Sequence, residues 1–264
     1  MMIKSTQCPV VNPLFPENQL MLTLGITTFG CDGGRSGSGR YAVNVIDHLT
    51  KMRSTSVCHI YGSRDEKDVF ATGSEEAVTK ELFPTWINRP VANIAWHQAV
   101  LGSICRRRRH DVLFLPAGNR RLPINVPCPT VGTVHDFSSL HVQGKYDPAR
   151  MLYIKQVLPF LIRRLTHILT VSESSKRDIV QYAGVEPENV TVTPLAVDHD
   201  LYNRDAKQSR TRLRTRFSLD RPYLLYVSRI EHPGKNHVRL IEAYEKLRSN
   251  TRFSHRLVLA GGDW

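Results

Sequence analysis

Short apolar runs recur along this chain, and most of them show no polar alternation. DVLFLPAG (111–118), PTVGTVHD (129–136), ILTVS (168–172) and YLLYVS (223–228) are of this kind. A strand with one wet face alternates apolar and polar residues, whereas a strand covered on both faces does not. Segments with helical spacing lie between the runs. YAVNVIDHLTKM (41–52) puts Val45, Ile46 and Leu49 on one face, and PARMLYIKQVLPFLIRRLTH (148–167) is amphipathic, with a kink expected at Pro159. This alternation predicts an α/β fold built on a parallel sheet.

The other segments keep the same rhythm. MLTLGITTF (21–29), SVCHIYG (56–62) and VTVTPLAVD (190–198) predict strands. VANIAWHQAVLGSICRRRRH (91–110) predicts one helix with a basic end, and ESSKRDIVQYAG (173–184) a helix stopped by Gly184. RDAKQSRTRLRTRFSLDR breaks the pattern, being polar and basic, as a connecting helix or linker would be. After it, YLLYVS, a helix over 234–248 and RLVLAGG (256–262) form one more strand–helix–strand unit. The expected organisation is an extension over 1–20, a Rossmann-like domain over 21–200, a basic linker over 201–221 and the start of a second Rossmann-like domain over 222–264. A single strand–helix–strand unit is too small to bury its own core.

Composition removes several classes. A hydrophobic fraction of 41% with 23% charged residues suits a folded chain rather than a disordered one. No apolar run is long enough to cross a membrane, and Pro9, Pro13 and Pro16 interrupt any signal-like stretch, so a cytoplasmic protein is expected. Cys8, Cys31, Cys58, Cys105 and Cys128 are scattered and form no CxxC pair, which points to free thiols and to no metal site. Lys and Arg outnumber Asp and Glu by 36 to 24, a net charge of +12, which favours anionic partners such as phosphorylated ligands or an acidic membrane face. The run Arg106–Arg109 suits a solvated helix end or contact with acidic lipid. It has no interleaved aromatic residue, and nucleic acid is not the expected partner.

Three places put reactive side chains at strand or helix ends. CDGGRSGSGR (31–40) reads as a loop between strand and helix, and Gly37-Ser38-Gly39-Arg40-Tyr41-Ala42 fits G-x-G-x-x-A. Such a loop brings backbone N–H groups close to a phosphate or sugar. It is also consistent with a dinucleotide fingerprint, although it starts late after its strand and the acids Asp65 and Glu66 come far downstream. His135-Asp136 ends a parallel strand, where ligands bind in open α/β sheets, although the residues alone favour a structural histidine bonded to a loop backbone. Arg229 follows another strand, and Lys235 precedes a helix after the Pro233-Gly234 turn. Together they offer a fork and a point charge to a diphosphate, or simply two solvated cations.

Taken together, these segments resemble the family-4 glycosyltransferases of the GT-B fold. YLLYVSRIEHPGKNHVRLIEAYEKL is similar to the opening of that family's C-terminal domain. The glycine segment running into GRYAVNVIDHL, the TVHDF segment, LTVSESSKRDI and VTPLAVD match further family segments in order. Ser36-Gly37 stands where Gly-Gly is usual, and Leu-Ala where Asn-Gly is common.

The resemblance implies a retaining hexosyltransferase, metal-independent and without a cofactor, that moves a sugar from a nucleotide-diphosphate sugar to a glycan or lipid-linked acceptor. It implies that Arg229 and Lys235, with Gly261 and Gly262, hold the diphosphate and steady its growing charge. His135 would contact the transferred sugar, with Asp136 beside it, and Gly37, Ser38, Gly39 and Arg40 would form a loop near donor or acceptor. The family's second domain continues beyond an AGG segment into a Glu-x7-Glu region, while this sequence runs to Trp264, so a donor domain represented only by its first part is expected. Two other readings stay open: a non-catalytic fragment that binds acceptor or a partner chain, and an NAD-binding Rossmann protein.

Overall fold

The computed structural model describes residues 22–51, 56–71, 78–142, 144, 146–199, 202, 206–250 and 253–262. Cys8 and the 1–20 extension lie outside the described residues. Seven strands form one sheet: β1 (Leu22–Thr27), β2 (Ser56–Ser63), β3 (Val78–Phe83), β4 (Val112–Leu115), β5 (Thr130–Thr133), β6 (His167–Thr170) and β7 (Val190–Val192). Their spatial order is β3-β2-β1-β4-β5-β6-β7, and every pairing is parallel. The order reverses between β1 and β4. Loops leaving the carboxyl ends of these two strands diverge there and open a crevice, the usual ligand position in doubly wound sheets.

Apolar strand residues face helices on the sheet. Ile26, Cys58, Ile60 and Phe114 meet Ala42 and Ile46 of the helix Gly37–Lys51, with Cys31, Phe70 and Ala117 closing the cluster. Phe29, Phe83, Trp96 and His97 form an aromatic group, with the Phe29 and Trp96 rings 4.9 Å apart. Burial explains the missing alternation in β4, β5 and β6, but not in YLLYVS, whose Leu224, Leu225 and Val227 are exposed among the described residues.

Several elements differ from the sequence reading. The basic helix over 91–110 is two helices, Pro90–Ala99 and Leu101–Arg108. Its end is capped by Arg109 in the left-handed conformation, at φ 53°. The helix over 148–167 runs as Pro148–Leu152, a π-turn at Tyr153–Val157, and Leu158–Ile162. Leu158 N–H bonds back to the Tyr153 carbonyl, one residue further than an α-helix allows. Proline at 159 has no N–H to donate, and the helix takes up the defect as a widened turn. β3 was not expected: it carries Lys80 and Glu81 and lies at the sheet edge, where charge is tolerated. Arg107 and Arg108 each approach Glu81 at 3.4 Å, so part of the arginine run is anchored to that edge.

The described residues fall into two compact units. Those up to His135 together with Phe160–Thr193 make the first; Asp136–Pro159 and those from Pro194 onward make the second. The second contains the helix Ala206–Phe217, where a linker or connecting helix was expected, and a two-stranded parallel sheet of β8 (Tyr223–Val227) and β9 (Arg256–Ala260). The helix His237–Asn250 connects these two strands.

Candidate active site

At the crevice of the first unit, the chain leaves β1 through a tight series of turns. Thr28 N–H bonds to the Tyr61 carbonyl, and its hydroxyl donates to Glu66 Oε2 at 2.7 Å. Gly30 sits at φ 88°, and a side chain there would press on Ala117 and Arg121. From the loop after β4, Arg120 reaches across. Its Nη1 lies 2.6 Å from Asp32 Oδ1 and donates to the Gly30 carbonyl at 3.1 Å. This ion pair locks the β1 and β4 loops together. Beside it lies a cavity of about 540 Å³ lined by residues that include Gly30, Asp32, Glu66, Asn93 and Arg120. Glu66 is buried, and that burial raises its carboxyl above the usual range, against the lowering effect of the Thr28 hydroxyl.

Gly37, Ser38, Gly39 and Arg40 are not in a loop. They form the first turn of the helix Gly37–Lys51. Ser36 caps that turn: its hydroxyl accepts from Gly39 N–H at 3.1 Å, and its carbonyl accepts from Arg40 N–H at 2.8 Å. A cap of this type offsets the poor helix propensity of two glycines. Gly39 is buried against the 31–34 turn, where a Cβ would overlap the Cys31 carbonyl oxygen. The G-x-G-x-x-A match therefore lies inside a helix, not in the strand-to-helix turn that a dinucleotide fingerprint requires.

His135 stands just past the carboxyl end of β5. Its Nε2 donates to the Pro116 carbonyl at 3.1 Å, so that nitrogen carries the proton. Tyr41, on the same helix as Gly39, meets the imidazole edge-on with centroids 4.9 Å apart, and its hydroxyl lies 3.1 Å from Thr133 Oγ1. The glycine-started helix and the histidine are thus joined through Tyr41. Asp136 belongs to the second unit, is exposed, and accepts from Ser138 N–H at 2.9 Å.

In the second unit the expected residues converge on the carboxyl edge of β8 and β9. Gly261 and Gly262 run beside Ser228–Ile230: Ser228 N–H bonds to the Ala260 carbonyl, and Ile230 N–H to the Gly262 carbonyl. Gly261 is dictated by this approach, because a Cβ there would overlap the Ser228 carbonyl oxygen. Arg229 is not a free cation. Its Nη2 lies 2.8 Å from Glu231 Oε2, which orients the guanidinium. Lys235 is exposed in the turn before the helix, and its carbonyl accepts from the Tyr226 hydroxyl at 2.9 Å. His237, buried at the helix start, meets the Ser228 hydroxyl at 3.1 Å.

Sequence reasoning missed Arg120, Asn93, Glu231 and His237, and weighed Glu66 only as a ribose-binding acid that comes too far downstream. Only Glu231 carried a usable signal, an acid two residues from the expected phosphate-binding arginine. Among the described residues no helix is long and apolar enough to cross a membrane, and no group of three or more His, Cys, Asp or Glu is placed to hold a metal ion.

The family model for Glycosyltransferase Family 4 matches residues 35–201, more than half of the chain. A mannosyltransferase from Escherichia coli, O-antigen chain mannosyltransferase B, is 28% identical over 131 residues, covering 50% of this chain and 34% of that protein. Among solved structures, Alr3699/HepE of Anabaena in complex with UDP-glucose superposes with a TM-score of 0.61 at 18% identity, over 91% of this chain and 61% of that one. The lipopolysaccharide outer core galactosyltransferase WaaB, in its apo form, gives a TM-score of 0.52 at 12% identity, over 92% and 61%. These structures share the GT-B fold with this chain, which spans about 61% of their length.

Proposed function

The chain belongs to Glycosyltransferase Family 4, and from that premise we propose that it works in transfer of a hexose from a nucleotide-diphosphate sugar to a glycan or lipid-linked acceptor, with retention of anomeric configuration. The observation that carries this reading is the meeting of Arg229 with Gly261 and Gly262 at one sheet edge, with Lys235 in the following turn. Backbone N–H groups freed by glycine, an arginine held by Glu231 and a mobile lysine suit a diphosphate. In the reaction, the acceptor oxygen bonds to the anomeric carbon as the bond from that carbon to the diphosphate oxygen breaks. The electron pair leaves with the nucleoside diphosphate, and the acceptor's hydroxyl proton passes to that departing phosphate. Charge grows on the diphosphate as the bond breaks, and the two cations there would stabilise the transition state without a metal or cofactor.

His135 would lie against the transferred sugar, its proton on Nε2 fixed by Pro116. The relatives' names support a role in cell-surface polysaccharide or lipopolysaccharide assembly. UDP-glucose in the Anabaena structure supports a nucleotide-sugar donor. The +12 charge supports a cytoplasmic placement against an acidic membrane face.

Calorimetric titration of the chain with UDP, UDP-glucose and GDP-mannose tests the reading. Replacing Arg229 or Lys235 by Ala should weaken nucleotide binding by roughly 10-fold or more, since hydrogen bonds to charged groups contribute about 1.5–3 kcal/mol. Unchanged affinity in both variants would refute the assigned roles. Glycan binding with no nucleotide affinity would instead favour a non-catalytic binding fragment.

A further inference from the structure

The cysteines among the described residues are not alike. Cys31, Cys58 and Cys105 are buried, whereas Cys128 reaches the surface. Cys128 lies in the loop between β4 and β5 and borders a cavity of about 250 Å³, which Ile124, Arg164 and Thr166 also line. This cavity stands at the amino ends of β5 and β6, the end of the sheet opposite the crevice, and shares no residue with the candidate active site.

The surroundings of Cys128 are held from three sides. Thr130 and Thr166 each donate a backbone N–H to the other's hydroxyl, at 3.0 and 3.2 Å. Gln98 ties the loop to the helix Pro90–Ala99, donating to the Leu122 carbonyl and accepting from Ile124 N–H. The next helix, Leu101–Arg108, packs on the same loop, where a Cβ at Gly102 would fall 3.6 Å from the Asn125 carbonyl oxygen. That helix carries Cys105, 1% exposed, to Cys128, and the Cys105 S–H donates to the Cys128 sulfur. The donated hydrogen draws the Cys128 thiol below its ordinary value, against burial and Asp111, which push the other way. The buried thiol keeps its proton, and the outer one more readily becomes the thiolate, the form that attacks sulfur electrophiles.

We propose that Cys128 is a site of reversible modification by small disulfides, with Cys105 as its resolving thiol. The Cys128 thiolate attacks one sulfur of the incoming disulfide, a mixed disulfide forms, and one small thiolate leaves. Cys105 then loses its proton and attacks the Cys128 sulfur. The Cys105–Cys128 bond forms as the bond to the small thiol breaks, and the second small thiolate leaves and takes up the proton. Two thiols of the chain are oxidised and the incoming disulfide is reduced to two thiols. Only Cys128 needs access from solvent, because the second step is internal; a buried Cys105 is no obstacle to it. Arg164 on the cavity wall offers its guanidinium to a carboxylate of a peptide disulfide.

The test treats the full chain with oxidised glutathione, followed by digestion without reductant and peptide mass spectrometry. The expected product is a Cys105–Cys128 disulfide that dithiothreitol reverses, formed about 10-fold or more faster than any product at the buried Cys31 or Cys58. Cys105→Ser keeps a donor but cannot resolve, so the glutathione adduct should accumulate on Cys128. Cys128→Ser should leave Cys105 unmodified. Alkylation of Cys128 by iodoacetamide should slow about 3-fold in Cys105→Ala, which lacks the donor, and recover in Cys105→Ser. A parent chain in which Cys128 stays reduced, although it reacts once the chain is unfolded in urea, would overturn the proposal. So would a Cys128 bond to a cysteine other than Cys105, or a parent chain that keeps the glutathione adduct as long as Cys105→Ser does.

Discussion

Gly37 and Gly39 look interchangeable in the sequence, yet they should respond to alanine in opposite directions. Both lie in the first turn of the helix Gly37–Lys51. Alanine is favoured over glycine in a helix interior by about 1 kcal/mol, and somewhat less at the first turn. At Gly37 a Cβ meets nothing within 4 Å, so that gain is kept. At Gly39 the Cβ would overlap the Cys31 carbonyl oxygen and sit 2.9 Å from Gly34 Cα and carbonyl C. All of these are backbone atoms in the turn that carries Asp32 to Arg120, and they cannot rotate away. Overpacking of this kind typically costs about 1–3 kcal/mol, with rigid backbone at the upper end. After the propensity gain, Gly39→Ala should destabilise the chain by about 2 kcal/mol and lower Tm by roughly 4–8 °C, while Gly37→Ala should leave Tm equal or raise it slightly. Thermal unfolding followed by circular dichroism measures both. If Gly39→Ala melts at or above the parent, the packing of the 31–34 turn against this helix is refuted.

His97 and His110 are buried, and that burial first of all pulls each imidazole down to about 4 from its ordinary 6.5. The unfolded chain takes up protons below 6.5 that the folded chain refuses. Stability is therefore present above 6.5 and lost as pH falls from there toward 4, by up to about 1.4 kcal/mol per pH unit for each histidine. Urea unfolding midpoints at pH 7 and pH 5 check this; an equal or higher midpoint at pH 5 would count against it. Gly261→Ala should break the β8–β9 edge by overlapping Ser228 O, whereas Gly262→Ala meets nothing within 4 Å. Hydrogen exchange of the Ser228 and Ile230 amides should quicken about 10-fold or more in the first and stay unchanged in the second.

Much of the fold was legible because its signals are local. Unalternating apolar runs need cover on both faces, and the seven-stranded parallel sheet supplies it for β4, β5 and β6, though the same pattern in β8 meets no such cover among the described residues. Gly184 ends the helix Glu173–Ala183 at φ 64°, as its position predicted. The errors came where a tertiary partner decides. Glycine density over 31–40 reads as loop, but Ser36 caps a helix inside it, and Gly39 is there for close approach rather than for flexibility. β3 carries charged residues that a buried strand would not, and the edge position tolerates them. At the second sheet, strand-end Arg229 and the glycines of the AGG segment were visible in order, though not their contact.

The sequence by itself determined the class of the chain: the strand–helix rhythm, the sheet type, the family pattern and the basic residues placed after strands. All of these depend on residue identity at short spacing. The tertiary structure alone decided which distant residues share a site. Arg120 meets Asp32 across 88 positions because β4 pairs with β1, not with β3 that precedes it in the chain. Asn93 lines the same cavity from a helix in which the sequence singled out only the basic end. Strand order is set by the total burial of apolar faces, a property of the whole sheet that no single stretch of residues encodes.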